Sequence, residues 1–110
     1  MTGPTDYLAV EPSRSEIDAG ADPLVIEFGA PWCTHCQAAQ PFIGAALARH
    51  RGVRHVKVED GKGRPLGRSF SVKLWPTLIF LRQGKEVERL VRPGDARGIE
   101  QALAQIDTPR

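Results

Sequence analysis

Apolar residues recur along the chain in two different periods, and each change of period marks an element. Leu24 to Phe28 is an apolar run broken only by Glu27, the pattern of a central strand covered on both faces. From Cys33 onward Phe42, Ile43, Ala46 and Leu47 fall at helical spacing, and Arg49, His50 and Arg51 offer cations to a last turn closed by Gly52. Pro41 inside that stretch removes one backbone donor and predicts a kink. Val53 to Glu59 alternates Val56 and Val58 with His55 and Lys57, which predicts a strand with one wetter face. Thr77 to Leu81 reads as a second apolar strand. Gly84, within Arg82-Gln83-Gly84-Lys85, turns it back into Glu86 to Val91 as a hairpin. Asp95 then caps a final helix carried by Ile99, Leu103 and Ile106.

Weaker signals fill the rest. Residues 1–6 read as a loose terminus, and Tyr7 to Val10 as a short strand closed off by Pro12. Ser13 supplies N-cap chemistry for a brief helix to Ala19, stopped by Gly20 and the Asp22-Pro23 turn. Asp60 to Gly67 is a basic, Gly/Pro-rich loop running into a short helix around Leu66 to Phe70. The resulting order, strand, helix, strand, helix, strand, helix, strand, strand, helix, predicts an α/β fold: a mixed sheet with helices on both faces. No internal repeat or low-complexity segment interrupts it.

Composition narrows the function classes. A chain of 110 residues is expected to form one domain over 1–110, with a core that needs no metal or structural bridges. A formal charge of +2 gives no pull toward nucleic acid or a membrane surface. Met1 to Asp6 shows no basic n-region or apolar h-region, so no signal peptide is expected, and no apolar run approaches the roughly 18 residues of a membrane span. Cytoplasmic location and a monomeric state are the corresponding expectations. Both cysteines of the chain lie in one C-x-x-C, which excludes a disulfide-stapled secreted scaffold and leaves a redox or metal-binding pair.

That pair stands in Trp32-Cys33-Thr34-His35-Cys36, where the apolar strand meets the long helix. Cysteines three apart at a helix start share a turn, so their sulfurs can close a small ring or stay two thiols, the first facing solvent and the second facing the chain. Unpaired backbone N–H groups at the helix start favour an anion, which makes Cys33 the attacking thiolate and Cys36 the resolving thiol in disulfide exchange. Glu27 either leaves the sheet at its rim or lies beneath this site. Its place between Ile26 and Phe28 favours the second, where it would exchange protons with Cys36 through water. The spacing from Cys33 and Cys36 to His50 and His55 also satisfies a zinc-finger count. A finger, however, puts its cysteines in a hairpin and both histidines on one helix, so His50 and His55 are expected at the surface or at helix ends. Gly61 to Arg68 suggests a phosphate cradle but lacks the G-x-x-x-x-G-K-[ST] pattern and reads as a solvated turn. Trp32 and Trp75 are each either core aromatics or substrate contacts.

The element order, the W-C-x-x-C after an apolar strand and the Pro-Thr before the hairpin together resemble the thioredoxin family, over nearly the whole chain. The resemblance implies a thioredoxin fold and a disulfide oxidoreductase that uses no bound cofactor, serves protein disulfide clients and is recycled by an external reductase or thiol donor. It puts Glu27 where the family carries a buried Asp, matches Pro41 to the helix proline, and sets Trp75-Pro76-Thr77 at the cis-proline position that shapes the substrate groove. Departures are informative too. Thr34-His35 replaces the usual Gly-Pro, with His35 where disulfide oxidants and isomerases of the family carry histidine, so a more oxidising pair is expected. Trp75 replaces a small aliphatic residue and Arg92 a glycine, which with Trp32 and Pro76 implies a narrower client-binding surface. The alternatives are a docking module for one protein partner and a disulfide oxidant or isomerase.

Overall fold

The computed structural model describes residues 6–107. The loose-terminus reading of residues 1–5 therefore falls outside the described residues. In chain order the elements are α1 (Arg14–Asp18), β1 (Leu24–Gly29), α2 (Thr34–Leu47), β2 (Arg54–Glu59), α3 (Pro65–Ser69), β3 (Thr77–Arg82), β4 (Lys85–Val91) and α4 (Ala96–Ile106). The strands form one sheet in the order β2-β1-β3-β4, with β1 parallel to β2 and antiparallel to β3, and β3 antiparallel to β4. β1 is thus central, and its C-terminal end feeds directly into the turn that carries Cys33.

Alternation in β1 and β3 splits the apolar core into two halves. Val25, Leu78 and Phe80 pack under α2 and α4 with Ile43, Ala46, Ile99 and Leu103. Ile26, Phe28, Ile79 and Leu81 point the other way, into a cluster with Ile17 of α1 and Leu66 and Phe70 around α3. Covering both faces is what the near-continuous apolar runs required. α1 begins with a reciprocal cap, in which Ser13 and Glu16 each bind the other's backbone N–H. α4 begins at Asp95, whose carboxylate accepts the Gly98 N–H at 3.0 Å. The β3–β4 turn places Gln83 at φ 53° and Gly84 at φ 77°, the left-handed pair of a two-residue hairpin whose twist suits the strands.

Three expectations are corrected. Tyr7 to Val10 is no strand: the chain bends at Ala9 and Val10, and the Leu8 N–H donates to the Lys57 carbonyl at 2.9 Å without a ladder following it. β2 has no wet face. His55 and Lys57 are 8% and 5% exposed, because the side of β2 opposite Val56 and Val58 lies against α2 and Glu27. α2 ends at Leu47, so Arg49, His50 and Arg51, expected in its last turn, lie beyond it. Instead His50 pairs with Asp107 at 2.7 Å and Arg49 with Glu100 at 3.5 Å, tying the end of α2 to α4.

Candidate active site at the start of the second helix

Cys33 is the N-cap of α2, extended at φ −81° and ψ 118°. Its sulfur accepts the backbone N–H of Cys36 at 3.2 Å, and its carbonyl accepts the N–H of Gln37 at 3.0 Å. A sulfur in this position satisfies one of the amide donors that every helix start leaves open, and the dipole there favours negative charge. Because the side chain folds back over the first turn to do so, Cys33 does not face solvent as expected. It is 7% exposed and Cys36 2%, and both pack with Ala30 beneath Trp75. The two thiols are unbridged. Burial pushes the Cys36 thiol up to about 11, and its hydrogen bond with Cys33 acts in the same direction. The sulfur rests on Gly29: a Cβ there would run into Cys36 Sγ and lie 3.0 Å from the Tyr7 hydroxyl.

Below the cysteines lies a buried polar group at the centre of the sheet. Glu27 is fully buried on the α2 face, where its carboxylate accepts from His55 Nε2 at 2.9 Å and from Gln40 Nε2 at 2.8 Å. The β1–β2 register sets Glu27 opposite Lys57, whose ammonium donates to Gln40 Oε1 at 3.3 Å. Gln40 Nε2 also donates to the Cys36 carbonyl at 2.8 Å, so one amide joins the carboxylate to the backbone of the second cysteine. The rim alternative for Glu27 is thus excluded. His55, expected at the surface or a helix end, is instead its buried partner, and His55 Nδ1 finds no hydrogen bond among the described residues. His50 and His55 are held apart by Asp107 and Glu27, and among the described residues no three His, Cys, Asp or Glu side chains converge as metal ligands.

Over the cysteines the surface is aromatic. Trp32 is 68% exposed and meets Trp75 edge to face, with ring centroids 5.4 Å apart. Trp75 is anchored by its indole N–H, which donates to Asp60 Oδ2 at 2.9 Å. The Trp75–Pro76 peptide is cis, and Pro76 is buried. Arg92, following β4, takes φ 51°, a left-handed conformation uncommon outside glycine. Two bonds hold it there: its N–H donates to the Pro76 carbonyl at 2.9 Å and its Nε to the Trp75 carbonyl at 2.7 Å. The structure therefore brings Trp75, Pro76 and Arg92 together as one unit. His35 is exposed on the first turn of α2 and makes no hydrogen bond to either sulfur among the described residues.

Sequence reasoning passed over Tyr7, Gly29, Gln40 and Asp60 as site residues. Gly29 carried a usable signal, a glycine closing a buried strand four residues before Cys33. Gln40 carried one as well, since it stands one helical turn after Cys36 and so faces the same side. Tyr7 and Asp60 carried none, because only the folded chain brings them to the cysteines.

Comparison with known proteins agrees with this geometry. The family profile described as thioredoxin matches residues 6–105. The reduced form of thioredoxin 2 from Pseudomonas aeruginosa PAO1 superimposes with a TM-score of 0.84 at 53% identity, covering 94% of this chain and 95% of that one. A thioredoxin of Aspergillus fumigatus is 29% identical over 84 residues, which is 76% of this chain and 78% of that protein. Protein disulfide-isomerase A2 of Homo sapiens is 40% identical over 86 residues, 73% of this chain but 16% of the much longer relative.

Proposed function

The chain belongs to the thioredoxin family and is a thiol–disulfide oxidoreductase of the protein-disulfide reductase kind, and from that premise we propose how its residues divide the work. Cys33, as thiolate, attacks one sulfur of a client disulfide, forms a mixed disulfide and releases the other client sulfur as a thiolate. Cys36 then attacks the Cys33 sulfur, closes the ring and releases the second client thiol. Two electrons pass from the pair to the client, and an external reductase or thiol donor returns them. The observation that carries this reading is the Cys33 sulfur capped by the Cys36 amide, with the second sulfur one turn away and more deeply buried. Glu27, tied to the Cys36 backbone through Gln40, serves as the buried proton acceptor. Clients lie across Trp32, Trp75, Pro76 and Arg92. A reductase of protein disulfides suits a reducing compartment such as the cytoplasm.

His35, on the first turn of α2, places a potential cation near the thiolate without bonding to it. Such a charge stabilises the reduced form, and the likeness to a disulfide isomerase points the same way. The pair is expected to be more oxidising than thioredoxin's about −270 mV, at roughly −230 to −180 mV. Equilibration with glutathione buffers, read by the fraction of Cys33–Cys36 disulfide, measures it, and a value at or below that of thioredoxin removes the role given to His35.

The mechanism itself is tested by Cys36→Ser. Without a resolving thiol, the mixed disulfide at Cys33 should accumulate on incubation with a disulfide-bearing protein and dissolve on adding dithiothreitol. Failure to accumulate overturns the assignment. Capture of one client instead of several would favour the partner-specific reading, for which the bulk of Trp75 and the fixed Arg92 are suited.

A further inference from the structure

A thiol held at about 11 by burial must shed its proton each time Cys36 closes the ring. A hydroxyl lies beside that sulfur, and it comes from outside the regular elements. Tyr7, in the segment before α1, brings its hydroxyl to the same spot beside Gly29 as the Cys36 sulfur, close enough for each to act on the other's ionisation. Gly29 makes room for the meeting, since a side chain there would collide with Cys36 Sγ and crowd the Tyr7 oxygen. The tyrosine is fixed from two directions. The adjacent Leu8 N–H is anchored on the Lys57 carbonyl at 2.9 Å, and the Lys57 ammonium lies 4.7 Å from the centre of the Tyr7 ring. A cavity of about 170 Å³, lined among others by Tyr7, Pro31, Cys36, Gln40 and Lys57, opens beside the sulfur. Burial, and then the charges of Cys36 and Glu27, push the Tyr7 hydroxyl far above its ordinary ionisation range, so it remains a donor throughout.

We propose that Tyr7 is a catalytic residue of the resolving step, its hydroxyl donating a hydrogen bond to the Cys36 sulfur as that sulfur becomes an anion and attacks Cys33. This rests on the assignment of Cys36 as the resolving thiol. The Cys36 proton passes through water in the cavity to Glu27, the buried acceptor, and ends on the departing client thiolate. The Cys33–Cys36 bond forms as the bond between Cys33 and the client sulfur breaks, its electron pair going to the client. Tyr7 keeps its own proton. Its donation offsets part of what burial costs the thiolate, while that same burial keeps Cys36 from outside disulfides.

The chain holds a single tyrosine, which makes the test clean. Tyr7→Phe removes the hydroxyl and keeps the ring over which Lys57 lies. Reaction of the dithiol protein with an aromatic disulfide that releases a coloured thiol resolves two phases, Cys33 attack and Cys36 resolution. Tyr7→Phe should slow the second phase about tenfold at neutral pH, the scale of a hydrogen bond to a charged group. The first phase, measured alone in the Cys36→Ser background, should not change. As a second handle, 3-fluorotyrosine incorporated in place of tyrosine marks Tyr7 alone. Its more acidic hydroxyl should speed resolution, and its fluorine resonance should move between dithiol and disulfide forms. Resolution at the unmodified rate in Tyr7→Phe, or equal slowing of both phases, overturns the proposal. If Cys36→Ser accumulates no mixed disulfide, the parent assignment falls and Tyr7 with it, whereas accumulation together with an indifferent Tyr7→Phe removes Tyr7 only.

Discussion

Cys33→Ser is expected to reduce insulin disulfides no faster than the uncatalysed background. A serine hydroxyl can still cap α2, because the position asks only for an acceptor facing the Cys36 amide, so the fold should persist. What vanishes is the sulfur nucleophile, since exchange proceeds through the thiolate and an alcohol at neutral pH has no equivalent. Cys36 cannot take over. Its thiol is pushed up to about 11, first by burial, which the substitution leaves in place. Below that value each pH unit lowers the thiolate fraction about tenfold, so at neutral pH the remaining cysteine is almost entirely protonated. Alkylation of Cys36 by iodoacetamide in Cys33→Ser should therefore be very slow near neutrality and climb steadily toward the strongly alkaline range. Residual insulin reduction well above background, or an alkylation profile that levels off near that of an ordinary cysteine, would show that the two sulfurs are not differentiated by their surroundings.

The second large effect falls on stability. His55→Ala is expected to cost about 1–3 kcal/mol, the range for taking a hydrogen-bond partner from a buried polar group, and to lower the melting temperature by about 5–15 °C. Glu27 is wholly shielded from water, and after the substitution Gln40 alone among these two donors would still meet its carboxylate. Replacing both groups by apolar residues, as in Glu27→Leu with His55→Val, should recover much of the loss, since neither buried polar group is then left without its partner. Urea unfolding of the two single variants and the double variant gives the coupling directly. A His55→Ala cost below about 1 kcal/mol would mean the histidine contributes little more than an exposed ion pair does.

The frame of the molecule was legible from local pattern. β1 and β3 announced themselves as apolar runs because both their faces are covered, and the caps at Ser13 and Asp95 were visible as isolated side chains with a helix behind them. The C-x-x-C needed no tertiary information either, for two cysteines on one turn at a helix start constrain each other whatever surrounds them. β2 misled for a definable reason. Its alternation of valine with His55 and Lys57 is the signature of a half-exposed strand, yet the polar side is buried because Glu27 on the neighbouring strand gives those residues a partner. Periodicity reports polarity, and it cannot report whether the polar side meets water or another polar group.

What the linear order of residues settled was therefore the order of the elements from α1 onward, the central place of β1 and the existence of a redox pair. Folding alone decided which groups surround that pair. Glu27, His55 and Lys57 meet through strand register, Tyr7 arrives from a segment without regular structure, and Trp75 and Arg92 are joined by bonds between β-strand ends. The physical reason is separation along the chain. A helix cap or a two-cysteine turn is fixed by neighbours within a few residues, whereas the burial of Cys36 is completed by Tyr7 and Trp75, dozens of residues away along the chain.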